Sequence, residues 1–488
     1  PSRPYDGEVA ATDAALAPLF DDVRAGGRPT LVLVTGDHGE ALGDHGEASH
    51  GLFAYESTLR VPLIMTEVGS GGRADGGEVS GVAARHVDVL PSILDAAALP
   101  IPADLAGRSL LPAAERRGAG QPRVSYFEAM SGMLNRGWAP LAGVLVDRAK
   151  FIDLPLPERY DLAADEAETT NLIGRDPARD RTLARLLSGF AATSPTARLA
   201  EDAEAAARLR SLGYLSASPV AKQHFTEADD PKRLVTLDDD VHRAVEAFVA
   251  GRASEAEVIY RQIIDRRPDM AIAYRHLAFL LARRGDLPGA IELLRRAVNA
   301  GVTDRRVVTL LGEYLADSGH ISQAIEMLEP LSNAPDADAD VLNTLGIAYA
   351  QAGREDAARR VFERVLAINP GSSVPLENLG ILALQRGDAP SARKRFEEAV
   401  AADPRSSGAH SGLGAALQKL GDRDRAIEEW KTAVQLDGAN LDALYNAGTA
   451  LAANQRVADA RPYLERFLQI APLSRDADRR EVARLLAK

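Results

Sequence analysis

The sequence predicts an α/β unit followed by an all-α solenoid of helical hairpins, and three observations carry that prediction. Small residues recur every 34 positions through the C-terminal half, a period too long for a single helix or strand and right for a stacked helix pair. Near the start, Thr30-Leu31-Val32-Leu33-Val34-Thr35 is a β-branched apolar run of buried-strand length, behind an amphipathic helical stretch from about Asp6 to Ala25. The length of 488 residues exceeds what one core usually fills, so at least two domains are expected.

Composition narrows the function classes. Hydrophobic residues make up 46% and charged residues 26%, which is globular rather than disordered composition. The net charge of -13 repels phosphate backbones and no basic, aromatic-interleaved cluster offsets it, so no nucleic-acid partner is expected. The absence of cysteine excludes disulfides, thiolate metal sites and a cysteine nucleophile within these residues. No run of about 18 apolar residues exists, so no membrane span is expected. The opening Pro1-Ser2-Arg3-Pro4-Tyr5, with neither an initiator methionine nor a signal-peptide pattern, reads as an entry in mid-domain.

In the C-terminal half, Gly251, Gly285, Gly319, Gly353, Gly387 and Gly421 are spaced by 34 residues, and Gln455 continues the column. Five positions later stands alanine in every repeat: Ala256, Ala290, Ala324, Ala358, Ala392, Ala426 and Ala460. Nine positions after the glycine comes a bulky apolar group: Tyr260, Leu294, Leu328, Phe362, Phe396, Trp430 or Leu464. Seven positions before it the side chain is small: Ala244, Ala278, Gly312, Gly346, Gly380, Gly414 or Gly448. Glycine suits the left-handed turn ending the first helix, the small residues suit a close helix crossing, and the bulky ones wedge into it. Pro268, Pro370, Pro404 and Pro472 are expected to close second helices. Period and columns together resemble the tetratricopeptide repeat family, in seven copies over residues 237–474, behind a 216–236 linker. Residues 475–488, with Val482, Leu485 and Leu486 among charges, suit a capping helix.

A stack of this kind implies a concave groove that holds a protein or peptide. By the family's register the groove displays Arg275, Phe279, Glu313, Asn343, Ile347, Glu377, Ile381, Gln418 and Tyr445, with no dominant sign of charge. The alternative is an array that only stiffens, spaces or dimerises its neighbour.

In the N-terminal half, the apolar strand runs into Gly36-Asp37-His38-Gly39-Glu40. Ligands of open α/β sheets bind beyond the carboxyl ends of strands, where Asp37 and His38 fall. An aspartate beside a histidine can offer a hard oxygen and an imidazole nitrogen to one divalent ion. Alone, the motif better suits an aspartate capping the next helix beside a solvated histidine. Its surroundings change that reading: Leu42-Gly43-Asp44-His45-Gly46, then His50, then Leu59-Arg60-Val61-Pro62-Leu63-Ile64 follow. Further on come His86-Val87-Asp88-Val89-Leu90-Pro91-Ser92, Gly107-Arg108-Ser109-Leu110-Leu111-Pro112, Lys150-Phe151-Ile152-Asp153, Arg159-Tyr160-Asp161-Leu162 and Leu209-Arg210-Ser211-Leu212-Gly213-Tyr214.

Over residues 1–215 this succession resembles the C-terminal portion of the sulfatases, members of the alkaline-phosphatase superfamily. The resemblance implies an α/β sulfatase-like partial domain, with a sheet strand ending in Val-Pro-Leu, helices and a small C-terminal antiparallel hairpin. It implies that Asp37 and His38 are half of the site for one divalent metal ion, usually calcium, and that His50 contacts the sulfate of a sulfate ester. A metal and a positively charged neighbour both stabilise charge building on the ester oxygens. His45 is expected to be a solvated histidine outside the ligand set, Glu40 could orient His38, and Arg60 and Arg108 read as structural charges. Export is expected from the resemblance alone.

One departure qualifies the activity. Sulfatases act through an aldehyde-hydrate nucleophile, formylglycine, made from the first residue of Cys/Ser-x-Pro-x-Arg, and no such stretch occurs here. Ser2-Arg3-Pro4-Tyr5-Asp6 lacks the arginine. The nucleophile and the upstream carboxylates are therefore expected in a missing N-terminal segment, without which this chain is inactive. The function expected is a metal-dependent sulfatase with a protein-binding repeat array. The alternatives are a non-catalytic repeat scaffold, or a phosphatase or phosphodiesterase of the same superfamily.

Overall fold

A computed structural model describes residues 3–68, 79–111, 123–190, 224–302, 304–334 and 337–487. It divides into two units, one of residues 1–200 and 218–273, the other of residues 201–217 and 274–488. Ser2 and the Leu209–Tyr214 stretch lie outside the described residues.

In the first unit, α1 (Arg3–Ala25) leads into β1 (Thr30–Thr35), which pairs antiparallel with β2 (Leu63–Val68), Thr30 opposite Val68. The strand expected to end in Val-Pro-Leu instead begins at Leu63, directly after Pro62. Proline has no N–H to give a ladder, so pairing starts one residue beyond it. Between the strands lie the Asp-His-Gly loop and a single helical turn, α2 (Glu56–Leu59). Parallel neighbours for β1 are not among the described residues.

After α3 (Val89–Ala96) the expected hairpin proves larger, a four-stranded antiparallel meander. Its strands β3 (Val124–Ala129), β4 (Leu141–Val146), β5 (Ala149–Asp153) and β6 (Glu158–Asp161) pair in chain order. Helix α4 (Pro177–Ser188) starts on Asp176, whose carboxylate accepts from the Ala178 and Arg179 amides. It packs Leu183 and Leu187 against Val144 and Phe151 of the sheet.

The first hairpin of the repeats, α5 (Pro231–Val249) and α6 (Ala253–Arg266), belongs to this same unit. Beyond it run α7 (Ala271–Arg283) with α8 (Leu287–Asn299), α9 (Arg305–Asp317) with α10 (Ile321–Ser332), and α11 (Ala339–Gln351) with α12 (Glu355–Ile368). They continue as α13 (Ser373–Gln385) with α14 (Ala389–Ala402), α15 (Ser407–Leu420) with α16 (Arg423–Leu436), and α17 (Leu441–Ala453) with α18 (Val457–Ile470).

Each column finds its physical reason here. The glycine column sits at φ between 70° and 88°, and Gln455 takes the same left-handed region at 60°. In three repeats the next residue, Asp286, Asp388 or Asp422, caps the second helix through its carboxylate. The small column lies under the bulky one: a Cβ on Gly346 would stand 2.5 Å from Phe362, and one on Gly448 2.4 Å from Leu464. Pro268, Pro370, Pro404 and Pro472 each follow a second helix, as expected. The last element, α19 (Asp476–Leu486), buries Val482 completely in the cluster of Trp430, Leu464 and Phe467. No helix among the described residues is long and apolar enough to cross a membrane.

Candidate functional site

Strand β1 delivers Gly36 and Asp37 at its carboxyl end, and the turn that follows is held tightly. His86 Nε2 lies 2.8 Å from the Gly36 carbonyl oxygen. The Gly39 amide donates to the Thr58 carbonyl at 2.8 Å, so close that a Cβ on Gly39 would stand 2.2 Å from the Ser57 oxygen. Glycine is the residue that lets the loop lie against α2 at this point.

The Asp37 carboxylate faces solvent, its side chain 84% exposed, with Oδ2 3.8 Å from His38 Nε2. The His38 amide donates to Asp37 Oδ1 at 3.0 Å, and this bond lowers the Asp37 pKa. His38 Nδ1 lies 2.9 Å from the Gly39 carbonyl oxygen, an acceptor only, so Nδ1 carries the proton and Nε2 keeps its lone pair. That is the tautomer a metal-binding imidazole needs. The His50 ring lies with its centroid 4.0 Å from that of His38. Asp37, His38 and His50 thus come together, with one carboxylate and one imidazole nitrogen available to a cation. Among the described residues no group of three or more His, Asp or Glu side chains could enclose an ion.

Two neighbours differ from expectation. Glu40 Oε2 is 3.0 Å from His50 Nδ1, so it orients His50 rather than His38, whose own orienting contact is the Gly39 carbonyl. His45 is not solvated: its ring stacks on Tyr55 at 3.5 Å and Nε2 meets the Glu168 carbonyl oxygen at 3.1 Å. Arg60 pairs with Glu166 as a surface charge, and the Arg108 amide donates to Asp88 Oδ1.

Buried charges also support the loop and its surroundings, and sequence reasoning missed them. Glu47, 3% exposed, accepts from the Leu52 and Phe53 amides at 2.7 and 3.3 Å, stapling the turn before His50 to the strand of chain after it. Asp88, fully buried, takes Arg85 and Arg123 at 2.8 Å each. Lys150, also fully buried, lies 2.7 Å from Glu168 and 3.3 Å from Glu56. Glu168 holds a left-handed φ of 55° and accepts from the Glu56 amide at 2.5 Å. The sequence assigns none of these a role, because a charged residue reads the same whether buried or exposed, although Asp88 and Lys150 stood inside stretches that carry the resemblance.

The residues assigned to the repeat groove lie on the first helices of successive hairpins. Phe279, Glu313, Ile381 and Gln418 are exposed, and Arg275, Asn343, Ile347, Glu377 and Tyr445 are half-buried. Asn343 Oδ1 is buried without a hydrogen-bond partner. Glu377 accepts from the Ser406 hydroxyl at 2.7 Å, and the Tyr445 hydroxyl donates to Glu481 of α19 at 2.7 Å.

The Sulfatase family model matches residues 2–99. Two Tetratricopeptide repeat models match residues 247–314 with 383–432 and residues 309–373 with 413–475. The chain joins a sulfatase domain segment to tetratricopeptide repeats. Among curated relatives, an N-acetylglucosamine-6-O-sulfatase of Bacteroides thetaiotaomicron is 29% identical, covering 36% of this chain and 32% of the relative. Arylsulfatase K of Bos taurus is 31% identical, covering 36% and 33%. A multifunctional alkaline phosphatase superfamily protein, PehA, of Trinickia caryophylli is 30% identical, covering 36% of each. The chain thus spans about a third of the length of the relatives it matches. The Asp37–His50 loop of the sulfatase segment falls inside the matched residues.

Proposed function

We propose that this chain is the C-terminal part of a metal-dependent sulfatase, a sulfuric ester hydrolase, whose repeat array of residues 237–474 holds a protein or peptide partner under the 475–488 cap. The observation that carries the reading is the turn after β1, where an exposed Asp37 carboxylate, the lone-pair nitrogen of His38 and the His50 ring share one face. Asp37 and His38 would hold one divalent cation, calcium, which supplies charge stabilisation to the ester oxygens when bound. His50, kept in orientation by Glu40, would contact the sulfate and, protonated, offset the charge developing there. The remaining ligands and the formylglycine nucleophile come from a polypeptide segment outside these 488 residues, which contain no Cys/Ser-x-Pro-x-Arg stretch.

The relatives support sulfate esters as substrate, and the multifunctional superfamily relative supports phosphate esters as a second reading. Both are tested by joining the chain to its preceding coding segment and assaying aryl sulfate and aryl phosphate, with divalent metal removed and returned. Sulfatase turnover that needs metal and falls by about a hundredfold or more in Asp37→Ala is expected. Preference for aryl phosphate would install the second reading. Turnover indifferent to Asp37→Ala would remove Asp37 from the site.

A further inference from the structure

The first helix of the repeats, α5, does not stand apart from the sulfatase segment. Its cap and first turns are built into it. Asp230, with no exposed surface, accepts from the Lys232 amide at 3.0 Å to start α5 and from the Leu156 amide of the β5–β6 connection at 2.9 Å. The Ala139 amide donates to the Asp229 carbonyl at 2.9 Å. Lys232 Nζ donates to the Leu156 carbonyl at 2.6 Å and lies 3.8 Å from Glu158 Oε1. Two turns on, buried Asp238 receives Arg136 at 2.7 Å on one side and His242 at 3.2 Å on the other.

These contacts run toward the metal loop. Glu158 Oε2 accepts from the Tyr55 hydroxyl at 3.0 Å, and Tyr55 stacks on His45. Val235 lies so near Gly46, itself at φ 82°, that a Cβ there would stand 3.4 Å from it. Glu47, the next residue, feels the Asp238 charge and clamps Leu52 and Phe53. The stretch from Gly43 to Tyr55 is therefore held between its own carboxylate staple and the face of α5 that carries Lys232, Val235 and Asp238. His50 lies within that stretch.

We propose that α5 is a positioning element of the sulfatase site: by bracing residues 43–55 it sets His50 against His38, so the first repeat hairpin works for the site as well as for the array. The assignment of His38 and His50 to the site rests on the function proposed above, but the bracing can be read without turnover or metal. Positioning residues in this sense are Asp238, Lys232 and Val235, which touch neither substrate nor ion.

The test uses the full 488-residue chain and the substitutions Asp238→Asn, Asp238→Glu and Val235→Ala. Hydrogen exchange of the amides of residues 41–55 is expected to quicken by about tenfold or more in Asp238→Asn and in Val235→Ala, while residues 379–470 keep their protection. The imidazole NMR signals of His45 and His50 should shift in the same variants, those of His320 and His410 should not, and Asp238→Glu should restore the parent signals. Unchanged exchange at 41–55 in Val235→Ala, the mildest variant, overturns the proposal. So does faster exchange that leaves the His50 signal in place, which would make α5 a support for the fold alone. A positive result here with Asp37→Ala still active would separate a braced loop from a wrongly assigned site.

Discussion

At the residue scale, side-chain size under a neighbour decides more than side-chain polarity. Gly346 and Gly353 are both glycines of the α11–α12 hairpin, yet for different reasons: a Cβ on the first would stand 2.5 Å from Phe362, while the second has open space and a left-handed φ of 70°. Gly346→Ala should cost about 1–3 kcal/mol by overpacking, and Gly353→Ala about 1–2 kcal/mol by backbone strain, measured as urea unfolding of the array. His242 supplies a pH-dependent case. Its hydrogen bond to Asp238 holds its pKa above the ordinary value of 6.5, so the folded chain binds the proton more tightly than the unfolded one. That stability is complete below 6.5 and is lost as pH rises through the raised value. Asp238 acts at the other end: burial pushes its pKa up, but His242 and Arg136 pull it below the ordinary range, so its contribution is lost as pH falls. In His242→Gln the decline in urea midpoint as pH rises above 6.5 should flatten; a variant as steep as the parent assigns the decline to another group.

At the element scale, the small meander is tied to the loop by charge rather than by apolar area. Lys150 of β5 enters between Glu56 of α2 and Glu168 with no exposed surface. Burial raises the Glu168 pKa and Lys150 lowers it back, the balance remaining on the raised side. Lys150→Met leaves that carboxylate buried without its cation and should destabilise the first unit by about 3–5 kcal/mol. Adding Glu168→Gln should recover part of the loss in the same denaturation assay, since it removes the stranded charge. The repeat helices owe less to charge. They are set by glycine turns, aspartate caps and the alternation of small and bulky columns, although the first of them, α5, starts at Pro231, inside the stretch read from the sequence as a linker.

At the scale of the whole molecule, both units leave large apolar groups exposed. The first unit leaves Ile64, Val87, Leu90, Ile93 and Leu99 at 43–56% exposure, a surface that the further segment of the proposed sulfatase would cover. The 488-residue chain should therefore bind the dye ANS in native buffer, and the joined full-length protein should bind it less. Equal dye binding by the two would show that the added segment covers a different surface. The larger polypeptide should also raise the unfolding midpoint of the first unit while leaving that of the second unit, whose terminal core is sealed by Val482, where it was.

How much was legible follows from what each signal depends on. The repeat columns, the strand Thr30–Thr35, the helix before it and the Asp37–His38 turn are governed by local geometry: left-handed φ, small-against-large contact and β-branched runs act within a few residues, or recur at a fixed period. Such signals survive in the sequence by itself. Only the tertiary structure decided that Glu40 serves His50, that His45 lies on Tyr55, that Lys150 is sunk between two carboxylates, and that Val235 of α5 packs against the loop at Gly46. Two of those depend on contacts far apart in sequence, Lys150 with Glu56 and Val235 with Gly46, and in the first burial turns an ordinary surface charge into a structural one.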